Sequence, residues 1–159
     1  MEDLIFTKGV KMKIDKKEEP RLINCACRNL RMTTRMVTQY YDKALNDSGI
    51  KSTQFALLND IASKEEGLSI NELAEYSMMD QTTVTRNIEI LRKNGYVIVK
   101  TEEKDSRRKR ITLSDEGKEK LKDALPLWKN AQTNLQQSIG DEQYKNFLEI
   151  LSLLKKINN

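Results

Sequence analysis

The sequence predicts a mainly α fold carrying one small β-hairpin, and three observations predict it. Apolar residues on both sides of the centre recur at three- and four-residue steps, the helical period. Between residues 96 and 113 that period shortens to the alternation of strands. Serine, aspartate and glycine stand at the seams, where helices begin and stop. The chain has 159 residues, 38% hydrophobic and 33% charged, which suits one compact domain or two small sub-domains sharing a core.

Residues 1–19 are rich in lysine and glutamate without periodicity, and a flexible leader is expected there. Pro20 opens a helical pattern that runs to about Asn46, with Cys27, Leu30, Thr34, Val37, Tyr41 and Leu45 in one stripe, and Asp47-Ser48-Gly49 ends it. Ser52 or Thr53 caps a second helix, which turns Phe55, Leu58 and Ile61 or Ala62 inward and stops at Gly67. Ser69-Ile70-Asn71-Glu72 is a capping box: serine accepts the Glu72 amide while the glutamate reaches back. The short helix it launches carries Leu73 and Ala74 and ends near Met79. Asp80 caps the next helix, which the glycine of Asn94-Gly95 stops.

Strands are predicted at 96–100 and 109–113, joined by a charged loop over 102–108. Ser114 caps a long helix over about 115–138, with Leu121, Leu125, Trp128, Ala131 and Leu135 on one side and Pro126 expected to bend it. A last helix over about 141–157 carries Tyr144, Phe147, Leu151 and Leu154. The order is helix, helix, short helix, helix, hairpin, helix, helix. Residues 49–113 thus have the layout of a winged helix-turn-helix lobe, and 20–48 with 114–159 that of a helical dimerisation platform. The modest apolar content suggests burial against a second copy, through Trp128, Leu135, Phe147, Leu151, Leu154 and the first-helix stripe.

Composition narrows the function. No stretch approaches the ~20 apolar residues that cross a bilayer, and the acidic start has too short an apolar run for a signal peptide, so a cytoplasmic location without a membrane partner is expected. The chain has no histidine, the commonest general base and metal ligand. There is no phosphate-cradling glycine loop, no metal-ligand cluster and no nucleophile–base pair. Catalytic residues, metal sites and cofactors are therefore expected to be none, and the chain is not expected to be an enzyme. Glu65-Glu66 and Glu102-Glu103 read as solvated carboxylates. Cys25 and Cys27, two apart on a helix, point in different directions and do not suit an internal disulfide.

Net charge is +4, but where the charge sits matters more than its sum. At 100° per residue, Val84, Ile88 and Leu91 fall within about 60° of one another. The opposite face holds Thr82, Arg86, Glu89 and Lys93, with Thr85 and Ile90 at its edges. This suits a recognition helix, anchored by one face while the polar N-terminal face enters the major groove. Glutamine pairs with adenine, arginine with guanine, and threonine offers a hydroxyl and a methyl. Residues 100–110 hold six basic and three acidic side chains, placing most of the excess charge in one hairpin. A solvated turn accounts for such a run; a wing whose arginines reach the minor groove accounts for it too. The candidate DNA-binding residues are Ser69, Gln81, Thr82, Thr83, Thr85, Arg86, Lys93, Asp105, Arg107 and Arg108.

Two runs carry a family resemblance: Asp80-Gln81-Thr82-Thr83-Val84-Thr85-Arg86 with Leu91-Arg92-Lys93-Asn94-Gly95-Tyr96-Val97, then Asp105-Ser106-Arg107 with Ile111-Thr112-Leu113-Ser114-Asp115-Glu116-Gly117. Together they resemble the MarR family, whose wing signature is D-x-R followed by a hydrophobic-x-Leu-Thr-x-x-Gly close; Ser114 stands here for the threonine. The resemblance runs over about residues 22–157. It implies a homodimer with interlocked terminal helices, two winged lobes on a palindromic operator of double-stranded DNA, and a repressor that a small aromatic or lipophilic inducer releases. It makes Arg107 the minor-groove arginine and Asp105 its partner. Two equivalent lobes about 34 Å apart would meet successive grooves.

Some relatives in this family are organic-peroxide sensors with a reactive cysteine near the start of the first long helix. Cys27 stands in about that place and Tyr41 near one of their tyrosines. Arg31 one turn on and Ser52 at the second helix depart from that pattern. Arg28 and Arg31 would favour a thiolate; equally, Cys27 suits a small buried residue on the stripe. Arg35, Tyr40, Tyr41 and Phe55 are inducer candidates, though core packing explains the aromatics as well. A winged helix that binds protein rather than DNA would need an apolar recognition face and a neutral wing, and Thr82, Arg86, Lys93 and Arg107-Arg108 argue against it.

Overall fold

The computed structural model describes Phe6–Thr7, Val10–Lys11 and residues 23–102 and 105–157, leaving the side chains of 6–7, 10–11 and 102–108 outside the description. Its elements are β1 (Phe6–Thr7), β2 (Val10–Lys11), α1 (Ala26–Ala44), a 3₁₀ turn (Asn46–Ser48), α2 (Ser52–Ala62), α3 (Ile70–Ser77), α4 (Gln81–Lys93), β3 (Val97–Glu102), β4 (Asp105–Leu113), α5 (Asp115–Ile139) and α6 (Asp141–Leu154). The chain divides into two compact units, Met1–Gln39 and Tyr40–Asn159.

In the first unit, β1 and β2 pair antiparallel, Phe6 with Lys11 and Thr7 with Val10, inside the stretch expected to be an unstructured leader. Two pairs per strand are too few to leave a periodic signature in sequence. The helix start expected at Pro20 lies outside the described residues. Continuous α1 begins at Ala26, and no residue of it is buried.

The second unit holds one apolar core. Leu57, Leu58 and Ile61 of α2, Leu73 of α3, Val84, Ile88 and Leu91 of α4, Val97 of β3, Ile111 of β4 and Ala124 of α5 all close on it. Ile61 rather than Ala62 is the inward residue, and Leu57 is fully buried beside Leu58, so α2 is apolar on two sides as befits a central helix. Each such side chain is worth about 1.5–3 kcal/mol in burial alone.

The second helix was expected to start on a Ser52 or Thr53 cap and to run to Gly67, and both ends differ. Ser52 lies inside α2, where its amide (2.8 Å) and hydroxyl (2.7 Å) donate to the Asp42 carboxylate of α1, while the Lys51 amide donates to Gln54. A carboxylate from the preceding helix thus does the capping. At the other end α2 stops at Ala62, and two turns carry the chain to Leu68, which must reach β4. Leu68 and Ile111 exchange both backbone hydrogen bonds, at 3.0 and 2.9 Å. The capping box at Ser69 forms as expected, as does the Gly95 stop after α4, where the Tyr96 amide donates to Leu91.

The hairpin is longer than expected. Strand β4 begins at Asp105, within the segment expected to be a loop. Thr101 faces Lys109 while Glu102 faces Asp105, so Ser106, Arg107 and Arg108 fall between two successive pairs. A register shift of this kind adds residues to one strand and increases its twist, which lets pairing resume after the irregularity. Helix α5 continues through Pro126, and the Ser114 hydroxyl accepts the Gly117 amide at its N-terminus.

Two glycines fit places closed to other residues. A Cβ on Gly117 would overlap the Tyr96 carbonyl oxygen. Gly67, at φ +75°, would set a Cβ 2.6 Å from the Ile111 carbonyl oxygen. Substituting Gly67→Ala therefore combines left-handed strain with a backbone clash and should cost about 2–4 kcal/mol. Gly95→Ala, at φ +78° with open space around it, should cost about 1–2 kcal/mol. Urea denaturation of both variants checks the ordering.

Candidate nucleic-acid interface

Helix α4 is built from its cap outward. The Asp80 carboxylate accepts the Thr83 amide at 2.8 Å and the Thr83 hydroxyl at 2.6 Å. Those two hydrogen bonds, the hydroxyl's first, hold the Asp80 carboxyl below its usual range. Val84, Ile88 and Leu91 enter the core, which turns Gln81, Thr82, Thr85 and Arg86 to solvent. With Glu89 these four line one shallow surface hollow.

Thr83 stands apart from them. Its hydroxyl is committed to Asp80, and its carbonyl accepts the Asn87 side-chain amide at 2.9 Å. Lys93 is exposed, with its ammonium 3.9 Å from Glu89. Glu89 was placed on the polar face by the helical wheel without a role; it receives a two-pronged contact from Arg92, Nε at 2.9 Å and Nη2 at 2.8 Å. The Arg92 contact pulls the Glu89 carboxyl down and holds the Arg92 guanidinium up. Arg92 and Lys93 are thus drawn to Glu89 in the C-terminal half of α4. Arg86 is the cation of the N-terminal half, where a recognition helix meets bases.

At the wing, β3 and β4 alternate as half-buried strands should. Val97 and Ile111 are buried, while Lys100 and Arg110 face each other on the outer side. Arg110, one of the six basic residues of the wing run, bends back along that outer side toward the start of α3. Its Nη1 donates to the Glu72 carboxylate at 2.7 Å and to the Gly67 carbonyl at 3.3 Å. Glu72 sits below the usual carboxylate range, chiefly because the Ser69 amide donates to it, with Ser69 and Arg110 side chains adding to the effect. Ser69 is half-buried in this cluster, away from the hollow on α4. Asp105, Arg107 and Arg108 lie on β4 with their side chains outside the described residues. A partner 38 residues away on a different element gives no periodic signal, so nothing in the spacing points to Glu72–Arg110.

The inducer candidates divide. Arg35 and Tyr40 are exposed. The Tyr40 hydroxyl donates to the Ala131 carbonyl at 3.0 Å, and Tyr41 donates to Gln132, whose amide donates on to Tyr144. Burial raises the Tyr41 phenol, with Tyr144 and Tyr40 adding to it. Phe55 is buried and stacked on Trp128, ring centres 5.8 Å apart, in the core position foreseen as its other role. Cys27 is an exposed free thiol and Cys25 a half-buried one. No helix among the described residues is long and apolar enough to cross a membrane.

Known proteins share this arrangement. A sequence model of the MarR family matches residues 48–108, the span of the lobe from the 3₁₀ turn to the wing. The transcriptional regulator MosR of M. tuberculosis has a similar structure, with 35% identity, a TM-score of 0.71, and coverage of 83% of this chain and 96% of that one. The chain belongs to the MarR family. The HTH-type transcriptional regulator SarZ of Staphylococcus epidermidis is 27% identical over 128 residues, 80% of each chain. SarZ of Staphylococcus aureus is 31% identical over 87 residues, 55% of this chain and 58% of that one. MosR has also been solved in complex with DNA. Family and fold are those of winged-helix DNA-binding transcription regulators rather than of enzymes.

The depressed carboxylates set an acid limit. A group whose folded pKa is lowered contributes stability above its unfolded pKa and loses it as pH falls through the folded value. Stability of this MarR-family lobe should therefore drop on acidification through and below the ordinary carboxylate range. Replacing Asp80→Asn together with Glu72→Gln should flatten that drop in urea midpoints. An equally steep drop in the double variant would remove these two groups as its source.

Proposed function

We propose that the protein is a cytoplasmic, homodimeric repressor that binds a palindromic operator with one lobe on each half-site. The exposed polar face on the N-terminal half of α4 carries this reading. Arg86 there is suited to the two acceptors of guanine, Gln81 to adenine, and the methyls of Thr82 and Thr85 to thymine. Lys93 is assigned to the flank of α4 and Ser69 to the start of α3, where phosphate contacts position the lobe without reading sequence; Thr83, whose amide and hydroxyl both donate to Asp80, is assigned to holding the start of the helix. Arg107 and Arg108 are assigned to the minor groove, where narrow A/T tracts concentrate negative potential, and Asp105 to holding Arg107 in place.

Exposed apolar surface supports the second copy. On α6, Phe147, Leu148, Ile150 and Leu153 are 38–63% exposed, and on α1 Met32 and Met36 are 55% and 67% exposed. A water-facing apolar face of that kind is stabilised by a partner surface. Release by a small aromatic or lipophilic ligand belongs to the same reading. Loss of Arg86 or Arg107 to alanine should each weaken operator binding by roughly 1–3 kcal/mol, measured by fluorescence anisotropy. The Arg86 loss should fall on one base position per half-site and the Arg107 loss on A/T-rich flanks. Variants that bind like the parent would remove those residues from the interface.

A second reading, peroxide sensing through Cys27, is favoured by the exposure of that free thiol. An accessible thiol beside Arg28 and Arg31 is placed for oxidation to a sulfenic acid. Peroxide added to the protein–operator complex should then release the parent and leave Cys27→Ser bound. Release of both alike would sink this reading.

A further inference from the structure

The wing meets the helix-turn-helix at one junction. There the chain from Gly67 to Ser69 runs antiparallel beside β4, with Leu68 bridged to Ile111. In that register Ser69 stands across from Arg110 and Gly67 across from Thr112, whose methyl would lie 2.7 Å from a Cβ on Gly67. The backbone bridge fixes how far apart the two segments lie. Buried Val97 and Ile111 hold the inner face of the hairpin's base in the core, and the outer face, where Lys100 and Arg110 lie, is held separately.

Three observations make Glu72 a restraint on that outer face. Its carboxylate closes the α3 capping box on the Ser69 amide at 2.7 Å. The same oxygen, Oε2, receives Arg110 Nη1 at 2.7 Å, so one atom holds both the start of α3 and the base of β4. Arg110 faces Lys100 across the hairpin, a like-charged cross-strand pair that destabilises the ladder unless a counter-charge is near. Glu72 supplies that charge from a different element. Arg107, which the family resemblance assigns to the minor groove, lies three residues along β4, at most about 10 Å away at strand rise. A small rotation at Arg110 therefore displaces the wing's reading residues.

We propose that Glu72 and Arg110 form a positioning clamp that couples the N-terminus of the helix-turn-helix to the wing and so sets how strongly sequence beneath the wing contributes to recognition. The clamp rests on the DNA-reading function proposed above. Neither residue touches a base in this scheme; both act through the geometry of Arg107 and its neighbours. The partly exposed pair, with 45% and 30% of the two side chains accessible, is a weak contributor to stability, which leaves orientation as its main effect.

The test uses the full chain and duplexes that the parent enriches from random sequence, compared with the same duplexes carrying scrambled flanks. Glu72→Gln keeps the capping box, since glutamine closes it as well as glutamate, and removes the negative charge that faces Arg110. The ratio of affinities for intact over scrambled flanks should fall about three- to fivefold in Glu72→Gln and at least as far in Arg110→Gln, with the double variant no worse than Arg110→Gln alone. Affinity for the scrambled duplex should stay within about twofold of the parent for Glu72→Gln, and β3–β4 amides should exchange hydrogen faster in both singles. If Glu72→Gln binds every duplex more tightly and keeps the parent's flank preference, Arg110 is a phosphate contact that Glu72 restrains, and the clamp is overturned. Additive losses in the double variant overturn it as well. A parent that enriches no sequence removes the DNA-reading function itself and the clamp with it, an outcome visible before any variant is made.

Discussion

Burial of Val84, Ile88 and Leu91 against α2 and the strands governs the rest of the lobe. Because those three side chains are 0–4% exposed, the rotation of α4 about its own axis is settled, and with it the outward direction of Gln81, Thr82, Thr85 and Arg86. Asp80 then settles where the helix begins, and Glu89 gathers the two cations of the last turn. Cap, stripe and counter-charge act on different parts of one thirteen-residue helix, and together they leave its N-terminal half as the polar, readable end.

The wing depends on a second constraint, the narrow crossing at Gly67. Only a residue without a Cβ lets the chain leave α2, pass over β4 in a left-handed conformation and still bring Leu68 into the core. That crossing puts the capping box of α3 beside β4, so a local helix-start device becomes a tertiary contact through Glu72 and Arg110. Stability and recognition geometry are drawn from the same few atoms there. A MarR-family lobe built this way ties its recognition element to its wing through side chains that neither helix periodicity nor strand alternation selects.

Much of this was legible in the sequence where the signal is local. The stripe on α4, the caps at Ser69, Asp80 and Ser114, the stop at Gly95 and the existence of the hairpin all follow from spacing within one element. What escaped depends on contacts between elements. Asp42 displaced the expected cap of α2 because it approaches from the end of α1. The segment after Ala62 left the helical path because Leu68 is drawn to Ile111. The strand β4 extended past the expected loop because pairing resumes beyond the register shift. Arg110 looked like one wing cation among several, and Phe55 like a cleft residue as much as a core one; only the fold separates those roles. The exposed Leu148, Ile150 and Leu153 of α6 lie outside the apolar stripe that the spacing of Tyr144, Phe147, Leu151 and Leu154 picks out.

In the proposed arrangement, two copies of this lobe read successive major grooves with α4. Hydroxyl-radical footprinting on a duplex enriched by the protein from random sequence tests it most directly. The expected result is an inverted repeat protected in two patches on one face of the DNA, centred about one helical turn, or 34 Å, apart. A single protected patch over unrepeated sequence, or no enriched sequence at all, would contradict it.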